Sequence, residues 1–530
     1  MKRTLLSLIA VLAITMGSFA QNWIMQGLGW ATASRGVQNI SLVNDTVAWA
    51  AGYDGSGSGG ASQDVSVTKD GGNTWTPHVI NGAAGLAPSM IFAINENTAW
   101  CAMYKVSGSS LQGIYKTNDG GATWARQGTT SMFTASTSFP NIVYFWDANN
   151  GVCMGDPVSS DFEIYTTTDG GTTWTQTQAA NIPNALTGEY GYTSDCYVVG
   201  NTLWFGTNKG HIYKTADKGL NWTSAAPPGM TGKNLTPCFK DANTGFSMKF
   251  YSTTDTLNLL TKSTDGGATF TAFTYAGSVF NQNMVFLPGS MDTYVTSGVD
   301  GTYAERIGIS YSFDGGATWF TEPELFGTQI TWTSWLNDSI AYAGTFNSDV
   351  TDGMYKFNSK LIAPSPDFSA SDTAIELGGS ITFTDMSTGG ITNWKWTFPG
   401  GTPPSSNVQN PPPVTYVTPG AHDVTLKVSN QWGSKTLVKS GYIYVGGVGI
   451  NELSSASINV YPNPVKDVLN VQSTSTMKEI QIYNIVGQMV LNQNVNGNNV
   501  TLNTSDLKSG VYNLKVKMED GFINKKIVVN

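Results

Sequence analysis

The chain has 530 residues and a formal net charge of −9, with only 12% charged residues, 12% aromatic residues and 59 glycines. An acidic balance of this kind argues against nucleic acid, whose phosphates demand a basic surface. The length suits roughly three or four domains, and a glycine-rich, charge-poor composition suits short strands joined by tight turns, so an all-β protein is expected. At the start, Lys2 and Arg3 precede an apolar run from Leu5 to Met16 and a small-residue exit, Gly17-Ser18-Phe19-Ala20. Residues 1–20 read as a secretory signal peptide, because the apolar run is shorter than the ~20 residues a bilayer requires. No cysteine follows the run, as a lipoprotein anchor would need, and no later stretch reads as a transmembrane segment.

The octet TKDGGNTW (68–75) then recurs as TNDGGATW, TTDGGTTW, TADKGLNW, STDGGATF and SFDGGATW. Its aspartates, Asp70, Asp119, Asp169, Asp217, Asp265 and Asp314, are spaced by 49, 50, 48, 48 and 49 residues. A constant period means an array of one supersecondary unit. About 20 residues before each aspartate stands a turn followed by an apolar strand, as in NDTVAWAAG or NENTAWCAM, and another strand, such as GIYKT, leads into the octet. About four short strands per unit make the blade of a β-propeller. Residues 331–358 repeat the first three strands without an octet, while Asn22-Trp23 looks like the strand that normally follows one, with Trp23 lying 52 residues before Trp75. A seven-bladed propeller over residues 21–359, closed by the N-terminal strand, is therefore expected.

The octet pattern S/T-x-D-x-G-x-T-W resembles the Asp-box of sialidases and related propellers, and the whole unit resembles photosystem II assembly-factor-like propellers. In such a turn the aspartate accepts hydrogen bonds from the backbone N–H groups around it, and Gly-Gly supplies positive φ at little steric cost. The octets are thus expected to hold the blades together and to catalyse nothing. The resemblance places them at the periphery, away from a substrate channel. Cys101 and Cys153 occupy equivalent strand positions in neighbouring blades, as do Cys196 and Cys238; such positions are usually too far apart for the ~5.5–6 Å Cα spacing of a disulfide, so free thiols are expected, while the sequence leaves their disulfide state open.

Beyond Lys360 the strand rhythm changes. Trp394-Lys395-Trp396-Thr397-Phe398, Tyr416, Pro419-Gly420 and Val428-Ser429-Asn430 resemble a polycystic-kidney-disease (PKD) domain, which implies an immunoglobulin-like β-sandwich over residues 364–446. A glycine-rich linker (447–457) leads to residues 458–530. There Tyr461-Pro462-Asn463-Pro464, Gly487-Gln488 and Leu507-Lys508-Ser509-Gly510-Val511-Tyr512 resemble the type A sorting domain of the type IX secretion system. That resemblance implies a small β-sandwich, recognition by the type IX machinery and its sortase, and delivery across the outer membrane to the cell surface or the medium.

Candidate site residues are few. Sialidases clamp a carboxylate with three arginines, but Arg3 goes with the signal peptide and Arg126 follows an octet on the outer strand, so Arg35 and Arg306 alone cannot form the triad, and the F/Y-R-I-P motif is missing. None of the three histidines stands beside an evident nucleophile. Paired carboxylates for glycoside hydrolysis leave Asp156 and Glu189 as catalytic candidates in loops of adjacent blades. Tyr190, Asp300, Glu305 and Arg306 are candidate ligand contacts. No cofactor and no metal site is expected, although loop carboxylates can hold Ca²⁺. Two readings follow: a non-enzymatic surface propeller that binds a glycan or a protein, or a glycoside hydrolase acting on extracellular polysaccharide through those carboxylates. An assembly or adhesion factor for other surface proteins is a third.

Overall fold

The structure, a computed structural model, describes residues 21–129, 131–250, 259–300, 306–446, 458–519 and 521–530. The leader (1–20), the linker (447–457) and Glu305 lie outside the described residues. The described chain divides into two compact units, one holding the propeller with residues 388–392 and 428–435, the other holding the rest of the PKD region and the tail.

In the first unit seven four-stranded antiparallel sheets follow one another along the chain. Six are built from consecutive strands. The seventh takes its outer strand from the other end of the sequence: Trp23–Gly27 pairs with Gly353–Phe357, with Trp23 opposite Phe357 and Gly27 opposite Gly353. This is the closure expected from the displaced Asn22-Trp23. The second strand of each blade, such as Ala99–Lys105, is buried over most of its length. It is covered on both faces by neighbouring blades, which is why it reads as a continuous apolar run instead of alternating.

The octets behave as their chemistry dictates. Asp70 Oδ1 accepts from the Thr74 N–H at 2.9 Å and from the Thr68 hydroxyl at 2.9 Å, while Oδ2 accepts from the Thr74 hydroxyl at 2.7 Å. The same bonds recur around Asp119, Asp169, Asp265 and Asp314, and Asn221 replaces the threonine at Asp217. Gly71 and Gly72 sit at φ +71° and +84°; where a lysine replaces the first glycine, Lys218 still adopts φ +61°. The octet tryptophans reach between blades: Trp124 packs edge-on to Trp49, and Trp75 to Tyr342. In return, Trp100 and Lys116 both donate to the Gly170 carbonyl of the next octet.

These bonds make a prediction about acid. The side-chain and backbone donors of Thr123 hold Asp119 at about 2, and those of Thr269 hold Asp265 at about 2, against an ordinary 3.8. A carboxyl group depressed in the folded state contributes stability above its unfolded pKa and loses it as pH falls through the folded one. The melting temperature is therefore expected to fall between pH 4 and pH 2. An Asp119→Asn/Asp265→Asn variant should show a shallower fall in melts followed by circular dichroism, and an unchanged slope would count against the octets as acid-sensitive ties.

In the second unit, the PKD region packs Trp396 and Phe398 against Phe383, with Phe368 edge-on to Trp396. Its five-stranded sheet contains Gly420–Asn430 beside Asn393–Thr397. The tail is a separate five-stranded sheet. Its long strand Val468–Asn484 pairs with Ile458–Tyr461 near one end and Gly510–Lys517 near the other, and Leu469, Ile480, Ile482, Leu514 and Ile527 share one core. The expected all-β order of propeller, sandwich and tail is what the structure has.

Candidate functional site: a cavity on the inner strands

With the blades numbered along the chain from the one that opens with Arg35–Leu42 (blade 1) to the one closed by Trp23–Gly27 (blade 7), the first strand of each lines the middle of the ring, and blade 4, which opens with Gly191–Val199, departs from the others. In blades 1 to 3 this strand carries one excess residue relative to its partner, as between Val37 and Asn39. In blade 4, Gly191 opposes Thr207 and Cys196 opposes Phe205, so five steps on one strand match two on the other. The three excess residues form a deep bulge with Ser194 at φ +62°. The bulge crosses to other blades: the Ser194 hydroxyl donates to the Ser89 carbonyl of blade 2, and Gln38 Nε2 of blade 1 donates to the Thr193 hydroxyl at 2.9 Å.

Beside the bulge lies a cavity of about 270 Å³. Blade 4 contributes Tyr190, Tyr192, Thr193 and Asp195 to its lining; blade 5 adds Asn234, Thr236 and Phe250. Gln282, Asn283, Thr331 and Trp332 come from blades 6 and 7, and Val37, Gln38 and Tyr53 from blade 1. Three of the rings form a chain: Tyr190 and Tyr192 have centroids 5.5 Å apart, and Tyr192 meets Phe250 edge-on at 4.5 Å. Tyr190 is 43% exposed at the rim. Asp195 is the one carboxylate among the described lining residues. It is buried, accepts from the Gly206 N–H at 3.1 Å and bonds the Thr236 side chain, and burial pushes its carboxyl up to about 7.

Asp156 and Glu189, both expected in loops, do not line this cavity: Asp156 lies within the strand Gly151–Val158, and Glu189 stands just before the strand Gly191–Val199. Asp156 Oδ1 accepts from Asn141 Nδ2 at 2.6 Å and from the Gly191 N–H at 3.1 Å, tying blade 3 to blade 4, and burial raises it to about 6. Glu189 is buried and accepts from the Leu186 N–H, the Thr207 hydroxyl and His211 Nδ1 at 2.7, 2.6 and 2.9 Å. Burial pushes Glu189 up, but the bonds from His211 and Thr207 outweigh it and hold the carboxyl below its usual range; the same bond raises His211. Glu189 thereby clamps the turn that carries Tyr190. Asn208 completes the clamp, accepting from the Tyr190 N–H at 2.9 Å and donating to the Gly188 carbonyl at 3.0 Å.

Asp300 pairs with Arg306 at 3.3 Å, neither is among the described lining residues, and Glu305 lies outside the described residues. Arg35 pairs with Asp64 at 2.7 Å and with Asp54 at 3.6 Å, so both arginines have carboxylate partners within the chain. Among the described residues no group of three or more His, Cys, Asp or Glu side chains is placed to hold a metal ion, and no helix is long and apolar enough to cross a membrane. All four cysteines are free thiols.

Sequence reasoning nominated Tyr190 but missed the rest of the lining, Asp195 above all. One signal was available: Thr193-Ser194-Asp195 is a polar run inside a strand whose counterparts, such as PNIVYF, are largely apolar.

Two family models match parts of the chain. Residues 367–440 match the PKD domain family, and residues 459–530 match the secretion system C-terminal sorting domain family. No curated protein matches the chain in sequence. Among solved structures, YCF48 from Cyanidioschyzon merolae is similar at 15% identity and TM-score 0.44, over 64% of this chain and 99% of that one. YCF48 bound to D1 peptide is similar at 13% identity and TM-score 0.45, over 64% and 98%. The GH74 xyloglucanase from Xanthomonas campestris is similar at 8% identity and TM-score 0.40, over 94% and 87%. The chain is thus a β-propeller protein with a PKD domain and a sorting domain at residues 459–530 that makes it a cargo of type IX secretion, bound for the cell surface or the extracellular space.

Proposed function

We propose that the exported propeller is a non-enzymatic binding module that takes an extracellular glycan in the cavity beside the blade 4 bulge. The observation that carries this reading is the makeup of the lining: aromatic rings, amides and hydroxyls around a single acid. Small-ligand sites are commonly built this way, with apolar and aromatic walls and a few polar groups that fix orientation. Hydrolysis of a glycosidic bond instead calls for two carboxyl groups flanking the scissile bond, ~5–9.5 Å apart. Asp195 has no second acid beside it in the described lining, and Glu189 spends both oxygens on clamping its own turn. A protein partner at the same face, in the manner of an adhesion or assembly factor, is the competing occupant.

The test is a glycan array probed with the purified mature chain, with released reducing sugar assayed in the same wells. Binding without release is expected. Sugar release that disappears in Asp156→Asn or Glu189→Gln would replace this reading with the hydrolase, whose acid would be Asp156, already raised to about 6 by burial. Capture of a surface protein without any sugar binding would replace the glycan with a protein.

A further inference from the structure

We infer that the cavity selects a neutral sugar residue, packed by its C–H face on the Tyr190 ring, over a uronic or sialic acid. The inference rests on the binding reading above and specifies its ligand.

Three observations converge on it. The first is shape. A volume of about 270 Å³ lies just below the ~300–1,000 Å³ of ordinary small-ligand sites, which suits one pyranose ring better than an extended chain. Tyr190 at the rim offers apolar ring surface to the C–H face of such a sugar, and Tyr192, inclined to it by 68°, backs that ring as a side wall.

The second is hydrogen-bonding capacity. A side-chain amide presents both a donor and an acceptor, which matches a sugar hydroxyl, itself donor and acceptor. Asn234 and Gln282 bring such amides to the lining from blades 5 and 6, and no hydrogen bond among the described residues engages their side chains. Gln38 Nε2, by contrast, is already committed to Thr193.

The third is charge. Among the described lining residues none is Lys, Arg or His, and the one ionisable acid is Asp195. A ligand carboxylate entering this space would lose water without gaining a cation, and it would face Asp195, so its desolvation would go uncompensated. Asp195 itself is disfavoured as an anion by its burial. A cavity that resists charge on its own acid also resists it on a guest.

The experiment is titration calorimetry on the purified mature chain at pH 7. The probes are neutral gluco-, xylo-, galacto- and manno-oligosaccharides, oligogalacturonate of matched length, and a lysine-rich peptide. At least one neutral sugar should bind at least about tenfold more tightly than oligogalacturonate. That binding should weaken about tenfold or more in both Tyr190→Ala and Gln282→Ala, with circular dichroism unchanged, whereas Phe326→Ala, at an exposed position outside the cavity lining, should leave it as it was. Tighter binding of oligogalacturonate or of the peptide, lost in Tyr190→Ala, would overturn the neutral-sugar inference while leaving a binding cavity in place. Sugar binding untouched by both cavity variants, or no binding by any probe, would overturn the cavity reading and the inference together.

Discussion

Trp23→Ala is expected to lower the melting temperature by roughly 5–10 °C, and removal of residues 21–27 to lower it further. Trp23 is fully buried on the strand that closes blade 7, edge-on to Trp335 at 5.8 Å and tilted on Phe357 at 5.0 Å. Truncating a buried tryptophan to alanine costs about 3–5 kcal/mol, and in large domains each kcal/mol moves the midpoint by about 2–4 °C or less. Against a typical stability of about 5–15 kcal/mol this is a large share. Deleting the strand adds the loss of its ladder to Gly353–Phe357 and of the bonds that Glu324 accepts from the Asn22 and Trp23 N–H groups at 2.9 and 3.0 Å. It also bares Gly353–Phe357 as an edge strand, so the deleted protein should self-associate on warming. Thermal melts with size-exclusion chromatography read both effects. A deletion that melts like the full chain and stays monomeric would mean that the ring does not depend on its N-terminal closure.

The ring was readable from the sequence because its determinants are local and repeated. Each octet carries its own turn, with the aspartate as acceptor and two residues at positive φ, and no distant residue is needed to specify it. Even the long-range closure left a local trace, since Trp23 lies 52 residues before Trp75, close to one period, in the pattern that follows an octet. The cavity was not readable for the complementary reason. Averaging over repeats hides the blade that differs, and blade 4 keeps the period: Asp169 and Asp217 are 48 residues apart despite the three excess residues in its first strand. Tyr192, Asp195, Asn234 and Gln282 come from blades 4, 5 and 6, and their convergence is a property of the closed ring that no linear spacing records.

Charge in the sequence was similarly ambiguous. Asp156 and Glu189 stood out as acids in neighbouring loops, and the structure brings them to the same segment: Asp156 bonds the Gly191 N–H two residues after Glu189. What the sequence could not show was how many donors each oxygen meets. For Glu189 three donors converge, which fixes the carboxylate in place as a clamp. For Asp195 the surroundings are poorer in donors, and burial dominates. Those counts separate an acid that holds a loop from one that lines the cavity.

Deleting residues 459–530 is expected to abolish surface display completely and to leave the propeller folded in the periplasm. The tail's core cluster runs from Ile458 to Val529 and draws on no residue of the ring, so its loss removes none of the blades' own packing. Whether the secretion machinery reads a folded tail or a linear segment can be separated by one substitution. Ile482 is fully buried in that core, opposite Leu514 on the neighbouring strand. Ile482→Asp would bury an unpaired carboxylate at a cost of several kcal/mol. A domain of this size has little stability in reserve, so the tail should unfold. The folded-signal reading predicts that Ile482→Asp abolishes display as fully as the deletion does. Normal display of this variant, with the tail shown to be unfolded by protease sensitivity of residues 458–530, would mean that the machinery reads a linear stretch. Exposed residues such as Ile485 and Val486, 82% and 80% exposed at the turn between the two long strands, would then be the first place to substitute.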